Sequence, residues 1–402
     1  MSRPARPTEP AAPTARLDVR ARRHDVDWLR IGATFLLFPF HVAKTFDVAP
    51  AYHLKNVELT HALDFFTFFV HQWHMPLFFL LAGWASCGTI RRRGIGGFRR
   101  ERVRRLFVPF LVVSLLACPV LKYLELRCGL TITARGQERL GRPFTESFFV
   151  FLPTFYTRMD RFTWSHLWFL LYLFVFSQLY AGLFRALLAH PAWLGRVSAA
   201  RLYLPLVPLV LIQATLRFRW PGVQNLFDDW ANFAYYSLYL TLGFLIARDP
   251  AWEDVIAREW RRALVIGLGA SALLMAALAA ANHTAPPELA PMVVFWAVTA
   301  VAGWCTVVGI LGAGRAFLSG DVAPGVRAYL AEASLPIYVL HQFAIVVPGY
   351  FIIQMAAGIP AKFALMLLTA VVATMATYHW VVRPVPVLRG ALGMPSRRPE
   401  GR

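Results

Sequence analysis

An arginine and a histidine stand in an otherwise apolar stretch that runs from Asp27 to Thr45. Arg30 and His41 are eleven residues apart, which in an α-helix is about 16 Å along the axis and close to three whole turns, so both side chains share one face. A titratable side chain at mid-depth in a bilayer is costly and marks a site that faces the bundle interior. An imidazole there can act as a general base or as a nucleophile. The residues alone do not choose between these two roles.

A second polar stripe lies in the next apolar stretch. Asp64, Thr67, His71 and His74 follow one another at i, i+3, i+7 and i+10, which places them along one helical face. Two consecutive membrane helices run in opposite directions, so His71 and His74 are expected to meet His41 in the outer half of the membrane.

Further polar side chains occur in later apolar runs. His166 opens one run, and Ser334, Tyr338, His341 and Gln342 share a face of another. Together with the two stripes they predict a histidine-lined cavity that opens to the outer face. The competing interpretation is structural, because a membrane histidine can simply bond the backbone carbonyl of a neighbouring helix, a contact of about 0.6 to 2 kcal/mol.

The composition is that of an integral membrane protein. Hydrophobic residues make up 57% of the 402 residues, charged residues 16%, and the mean hydropathy is +0.50. The net charge of +19 arises from basic residues between apolar runs, which argues for cytoplasmic loops and against nucleic-acid binding. The four cysteines have neither metal-ligand spacing nor a disulfide framework, and HExxH, Walker and GxGxxG motifs are missing. We expect no metal.

Ten apolar runs of spanning length follow one another along the chain. They cover residues 28–46, 65–90, 106–126, 166–188, 202–218, 231–247, 262–281, 291–313, 329–353 and 362–382. A helix needs about 20 apolar residues to cross a bilayer. The runs therefore predict an all-α integral membrane fold, a bundle of about ten transmembrane helices.

Basic residues are concentrated in alternate connections. With ten spans, the connection at 91–105 and both chain ends fall on one side, which the positive-inside rule identifies as cytoplasmic. We divide the chain into a disordered cytoplasmic tail (1–23), a membrane domain (24–385) and a second cytoplasmic tail (386–402). The long connection 127–165 lies on the outer side, and its 144–156 part is predicted to be a re-entrant or interfacial helix.

Five motifs occur in a fixed order along the chain. They are Arg30 with His41, HMPLFFLLAGW at 74–84, RVRR at 102–105, HLWFLLYL at 166–173 and ASLPIYVLHQ at 333–342. In this order they resemble the integral membrane acyltransferase family 3 and are most similar to its periplasmic-glucan succinyltransferase branch. The family's usual SGF stands here as Ala82, Gly83 and Trp84, which puts any role of that serine in doubt.

The resemblance implies roles for most of these polar side chains. His41 matches the family's helix-one histidine, Arg30 its partner arginine, and Arg102 and Arg105 an RxxR pair linked to the acyl-CoA donor. The resemblance and the two polar stripes together give the following assignment. Catalysis is assigned to His41 and His71, and acyl-CoA binding to Arg30, Arg102 and Arg105. Acceptor binding is assigned to His74, His166 and His341.

The expected protein is an acyl-CoA-dependent acyltransferase that spans a bacterial inner membrane several times. It would move an acetyl or succinyl group from cytoplasmic acyl-CoA to a hydroxyl of a glycan or other carbohydrate on the outer side. Two alternatives remain open: a small-molecule transporter with a histidine-lined cavity, and an acyltransferase-like sensor or scaffold that has lost catalysis.

Overall fold

The structure is a computed structural model that describes residues 23–49, 52–133, 136–190, 197–280, 289–320 and 322–395. The α-helices in these ranges are α1 His24–Phe46, α2 His61–Arg102, α3 Val108–Leu116, α4 Cys118–Arg127, α5 Phe148–Thr157, α6 Trp168–Leu179, α7 Ala181–Ala189, α8 Ala199–Tyr203, α9 Leu206–Leu216, α10 Trp230–Arg248, α11 Ala251–Ala280, α12 Leu289–Leu318, α13 Pro324–Ile352, α14 Ile359–Ala376 and α15 Pro386–Ala391. Strands β1 Leu130–Thr133 and β2 Gly136–Arg139 form an antiparallel hairpin. A 3-10 turn (Ser165–Leu167) precedes α6, and π-helical turns occupy Val103–Phe107 and Thr377–Val382.

Within the described residues, six helical segments are long and apolar enough to cross a membrane. They are His61–Leu116, Ala199–Leu216, Ala251–Ala280, Leu289–Leu318, Pro324–Ile352 and Ile359–Val382. A seventh is obtained if the pair α6 and α7, bent by 51°, counts as one span. The predicted helical membrane fold is confirmed, whereas the count of ten spans is not. Helices α1 and α10 form where predicted but lie outside this set, since polar side chains such as Asp27, Arg30 and Lys44 in α1 lower their hydropathy.

The arginine-rich connection predicted at 91–105 is helical rather than a loop. Helix α2 continues through it to Arg102, with one interruption at Gly94, whose φ of 64° and ψ of −177° kink the chain. A glycine adopts such a positive φ without the steric cost that a side chain would add. The basic residues indicated a membrane side, and their good helix propensity allowed a helix there.

The predicted outer connection 127–165 holds two pieces of regular structure. The hairpin β1–β2 comes first, and no sequence pattern indicated it. Helix α5 follows and overlaps the helix predicted at 144–156. Phe151 and Phe155 of α5 are fully buried, so this helix packs on the rest of the protein.

Helices α2 and α10 cross in backbone contact at two glycines. A Cβ atom added at Gly83 would lie 1.9 Å from the carbonyl oxygen of Leu240, and one added at Gly243 would lie 1.9 Å from that of Leu80. Small residues allow membrane helices to approach this closely. Gly83 corresponds to the glycine of the SGF motif, which stands here as Ala82, Gly83 and Trp84. In this protein that glycine allows α2 and α10 to pack closely.

The segment predicted as a tail from residue 386 begins with a helix that packs back on the bundle. Arg389 of α15 is buried, and its Nη2 atom donates to Glu332 Oε1 of α13 at 2.8 Å.

We predict that Gly83→Ala destabilises the protein, because the added methyl group must push α2 and α10 apart. Overpacking of this kind costs about 1 to 3 kcal/mol. The midpoint of thermal unfolding in detergent should fall. Gly32→Ala is the control, since nothing lies within 4 Å of a Cβ atom at that position of α1 and alanine is the better helix former. Equal midpoints for the two variants would contradict the tight crossing.

Candidate active site

Three histidines from distant parts of the chain lie together inside the bundle. The ring centroids of His41 in α1 and His341 in α13 are 5.1 Å apart, and those of His341 and His166 are 5.0 Å apart. His341 is fully buried and His166 nearly so, whereas His41 keeps part of its surface exposed. We call these three residues the histidine cluster.

Backbone contacts define which ring nitrogens of the cluster are basic. His341 Nδ1 lies 2.7 Å from the carbonyl oxygen of Tyr338, and His166 Nε2 lies 3.1 Å from that of Val339. A carbonyl oxygen only accepts, so these nitrogens carry the proton and the opposite nitrogen of each ring keeps a lone pair.

Those opposite nitrogens, His341 Nε2 and His166 Nδ1, are buried and have no hydrogen-bond partner within the described residues, and the same holds for His41 Nδ1. Buried polar atoms are rarely left without a partner, and each exception needs an explanation. A ligand with hydroxyl groups would supply the missing donors.

Tyr52 completes one side of the cluster. Its ring stacks on that of His41, with centroids 5.8 Å apart and an angle of 19° between the planes. No sequence pattern indicated this residue, because it lies in the irregular connection between α1 and α2. Two carboxylates hold that connection in place. Asp47 accepts a hydrogen bond from Lys55, and Asp64 accepts one from the backbone N–H of Ala49. Burial lowers the pKa of Lys55, while its contact with Asp47 favours the charged form.

The predicted histidines of α2 make no ring contact with the cluster in the described residues. His74 is buried and its Nε2 atom lies 2.7 Å from the carbonyl oxygen of Ala33 in α1. This is the interhelical contact that the structural interpretation describes. His71 is exposed, and in the described part of the chain no ring contact joins it to His41. The structure therefore brings together His41, His166 and His341 of the predicted histidines.

Arg30 lies in an ion-pair network near the start of α1. Its Nη2 atom is 3.0 Å from Asp27 Oδ1, and Arg327 of α13 approaches the other oxygen of the same carboxylate at 3.3 Å. Asp27 thus holds Arg30 in place and ties α1 to α13.

Arg102 is buried on the inner side of the kink in α2. Its Nη2 atom donates to Ser86 Oγ at 3.0 Å, and its guanidinium lies 4.8 Å from the centre of the Phe98 ring. These contacts join the two helical segments on either side of Gly94. Arg102 therefore points into the protein rather than towards solvent.

Arg105, three residues later, lines an arginine-rich cavity of about 730 Å³. The cavity is also lined by Arg93, Gly97, Arg100, Glu101, Arg104, Val108, Gly390, Gly393, Met394 and Pro395. Glu101 pairs with both Arg93 and Arg105. The cavity lies beside the kink, at the opposite end of the first α2 segment from the connection that carries Tyr52. We call it the arginine cavity.

Comparison with known proteins identifies a family match over most of the chain and distant relatives over part of it. The family described as "Acyltransferase domain" matches residues 23–379. "Glucans biosynthesis protein C" of Escherichia coli O6:K15:H31 (strain 536 / UPEC) is 27% identical over 168 residues, which are 41% of this chain and 39% of that protein. The proteins of the same name from Shigella dysenteriae serotype 1 (strain Sd197) and E. coli K12 are 26% identical over the same shares. The chain thus spans about two fifths of the length of these relatives. No solved structure matches significantly.

We predict that His74→Phe lowers stability, because an aromatic ring of similar shape fills the site but cannot bond the Ala33 carbonyl. Contacts of this kind are worth about 0.6 to 2 kcal/mol. Unfolding of the detergent-solubilised protein by sodium dodecyl sulfate should begin at a lower concentration. His71→Phe is the matched control, since His71 is exposed one helical turn away and its replacement should leave the curve unchanged. Coincident curves for both variants would refute a bridging role for His74.

Proposed function

Because this chain belongs to the acyltransferase 3 family, whose match covers residues 23–379, we propose that it transfers an acyl group from acyl-CoA to a hydroxyl of a glycan or other carbohydrate. Membership of the family makes it a membrane acyltransferase. The observation that carries the finer proposal is the presence of two separate sites: the arginine cavity beside the kink of α2, and the histidine cluster, whose imidazole nitrogens are buried without a partner in the described residues.

The donor binds at the arginine cavity in this proposal. Acyl-CoA carries phosphate groups, and guanidinium groups hold phosphates through paired hydrogen bonds. Arg93, Arg100, Arg104 and Arg105 supply four such groups, and about 730 Å³ lies within the usual range for ligand sites. The flexible arm of the donor then enters the bundle beside Arg30. Arg102 acts indirectly, since it holds the kink that shapes the cavity.

The acceptor binds at the histidine cluster. The unpartnered nitrogens of His166 and His341 accept hydrogen bonds from sugar hydroxyls, and His41 takes the proton of the hydroxyl that attacks the acyl carbonyl. Its partial exposure gives the acceptor access to the ring. The proposal gives His71 no part in this step, because no ring contact joins it to the cluster in the described residues.

The membrane arrangement follows from the same reasoning. We propose that both termini and the arginine cavity face the cytoplasm, as the positive-inside rule suggests, and that the cluster opens to the outer side of the inner membrane. Ten crossings satisfy this arrangement if α1, α10 and the bent pair of α6 and α7 each span the bilayer, and if the long segment His61–Leu116 crosses it twice. The relatives' name, glucans biosynthesis protein C, supports a glucan as the acceptor.

We predict that His41→Ala slows transfer by orders of magnitude, because the acceptor hydroxyl loses its base. General-base catalysis contributes about 10²- to 10⁴-fold to the rate. The assay is release of free CoA thiol by the protein in proteoliposomes, dependent on added oligosaccharide acceptor. His379→Ala is the control, since that histidine is exposed and bonds Tyr329. A folded His41→Ala protein with undiminished transfer would refute the proposal, and acceptor uptake without thiol release would identify a transporter.

We predict that Arg105→Glu raises the KM for acyl-CoA by about tenfold or more, because one phosphate contact becomes a repulsion. High salt should raise the wild-type KM in the same direction, as exposed charge pairs are screened. Steady-state kinetics at varied acyl-CoA concentration give the value. Arg158→Glu makes the same change of charge at an exposed arginine outside the cavity, and its KM should stay that of the wild type. An unchanged KM for Arg105→Glu would place the donor elsewhere.

A further inference from the structure

A serine, a histidine and a glutamate form a hydrogen-bonded chain next to the histidine cluster. Ser165 Oγ lies 2.7 Å from His53 Nε2, and His53 Nδ1 lies 2.6 Å from Glu125 Oε2. Burial increases from the serine to the glutamate: Ser165 is partly exposed, His53 is 6% exposed and Glu125 is completely buried. A reachable nucleophile, a covered base and a buried acid form the arrangement that activates a serine.

Glu125 is held so that only one of its oxygens serves the histidine. Its Oε1 atom accepts from Lys122 Nζ at 2.6 Å and from the backbone N–H of Ile132 at 2.7 Å, which leaves Oε2 for His53. A carboxylate held in this way accepts from His53 Nδ1, so the Nε2 atom of that ring has a lone pair directed at the Ser165 hydroxyl.

The backbone at Ser165 is strained. Its φ of 48° lies in the left-handed region, which residues other than glycine rarely adopt and which costs about 1 to 2 kcal/mol. Strain of this kind persists where the surrounding structure imposes it, and it is concentrated at functional sites. The residue stands at the first position of the 3-10 turn before α6, and its N–H donates to Thr163 Oγ1 at 3.0 Å.

Chain neighbours connect this triad to the histidine cluster on both sides. His53 follows Tyr52, which stacks on His41, and Ser165 precedes His166, which contacts His341. The triad and the cluster are thus built from adjacent residues of the same two segments, and the rings of Tyr52 and His53 lie 5.8 Å apart.

We propose that Ser165 is a catalytic nucleophile that carries the acyl group as an ester between donor and acceptor, with His53 as its base and Glu125 as the residue that positions His53. The identity of the donor rests on the function proposed above, whereas activation of Ser165 does not. In the first step Ser165 Oγ bonds the acyl carbonyl carbon, His53 takes the hydroxyl proton, and the carbon–sulfur bond breaks to release CoA as its thiolate.

In the second step the acceptor hydroxyl attacks the ester carbonyl carbon and gives its proton to His41. The ester bond breaks, and Ser165 Oγ regains its proton from His53. His41 then releases one proton to water, which balances the thiolate released before. The two histidines thus act in turn, His53 on the carrier and His41 on the acceptor.

A fluorophosphonate ester tests the triad without any acyl donor, because it reacts with activated serines. We expect labelling of Ser165 in the wild-type protein, found by mass spectrometry of the peptides, and its loss in Ser165→Ala. Ser147→Ala is the matched control, since Ser147 is exposed in the same connection and only caps α5. Absence of label from Ser165 in the folded wild type would overturn the proposal, as would labelling of Ser165 and Ser147 alike.

Radiolabelled acetyl- or succinyl-CoA tests the carrier role. His41→Ala should accumulate an ester on Ser165, because its second step is blocked, and the double variant with Ser165→Ala should hold none. Ser165→Ala alone should lower transfer to the acceptor by about 10³-fold or more, as loss of a triad nucleophile does. Wild-type transfer by this variant, or no ester in His41→Ala, would overturn the proposal. Fluorophosphonate labelling without any acyl transfer would refute the proposed function and leave the activated serine standing.

Discussion

A polar group inside an apolar bundle must have a partner, and this requirement organises the protein. The buried carboxylates show it most clearly. Asp47 forms ion pairs with Lys44 and Lys55. Glu125 accepts hydrogen bonds from Lys122, His53 and a backbone N–H. Against that background the lone pairs of the histidine cluster stand out, because each faces the interior with nothing to accept in the described structure. Such groups are costly unless a ligand satisfies them. In the proposed function, the same rule that stabilises the fold indicates where the acceptor binds.

Much of the helical framework and part of the site were accessible from the sequence. Apolar runs predict membrane helices because a segment that crosses lipid must be a helix made mostly of apolar residues. The order of the motifs predicted that His41, His166 and His341 belong to one site. The triad was not accessible. His53 is 72 residues from Glu125 and 112 from Ser165, and all three lie at helix ends or in connections, where no periodicity marks which side chains will meet.

The arginines show a different limit of sequence reasoning. Arg102 and Arg105 belong to one short motif, yet one is buried against Ser86 and the other lines the arginine cavity. The kink at Gly94 and the π-helical turn after Arg102 set these directions. The number of basic residues predicts on which side of the membrane a connection lies. It does not predict which guanidinium groups are buried in contacts within the protein. The distinction needs the backbone geometry of the kink.

The glycine crossing of α2 and α10 restricts how the protein can work mechanically. Two helices in direct main-chain contact have no side-chain layer over which to slide, so they behave as one rigid strut that runs from the kink of α2 towards the connection that carries Tyr52. A rocking motion that alternately opens the two ends would have to break this strut. In the proposed function, donor and acceptor reach this rigid frame from opposite ends. No such rocking is then needed, and only small movements of the surrounding helices are required.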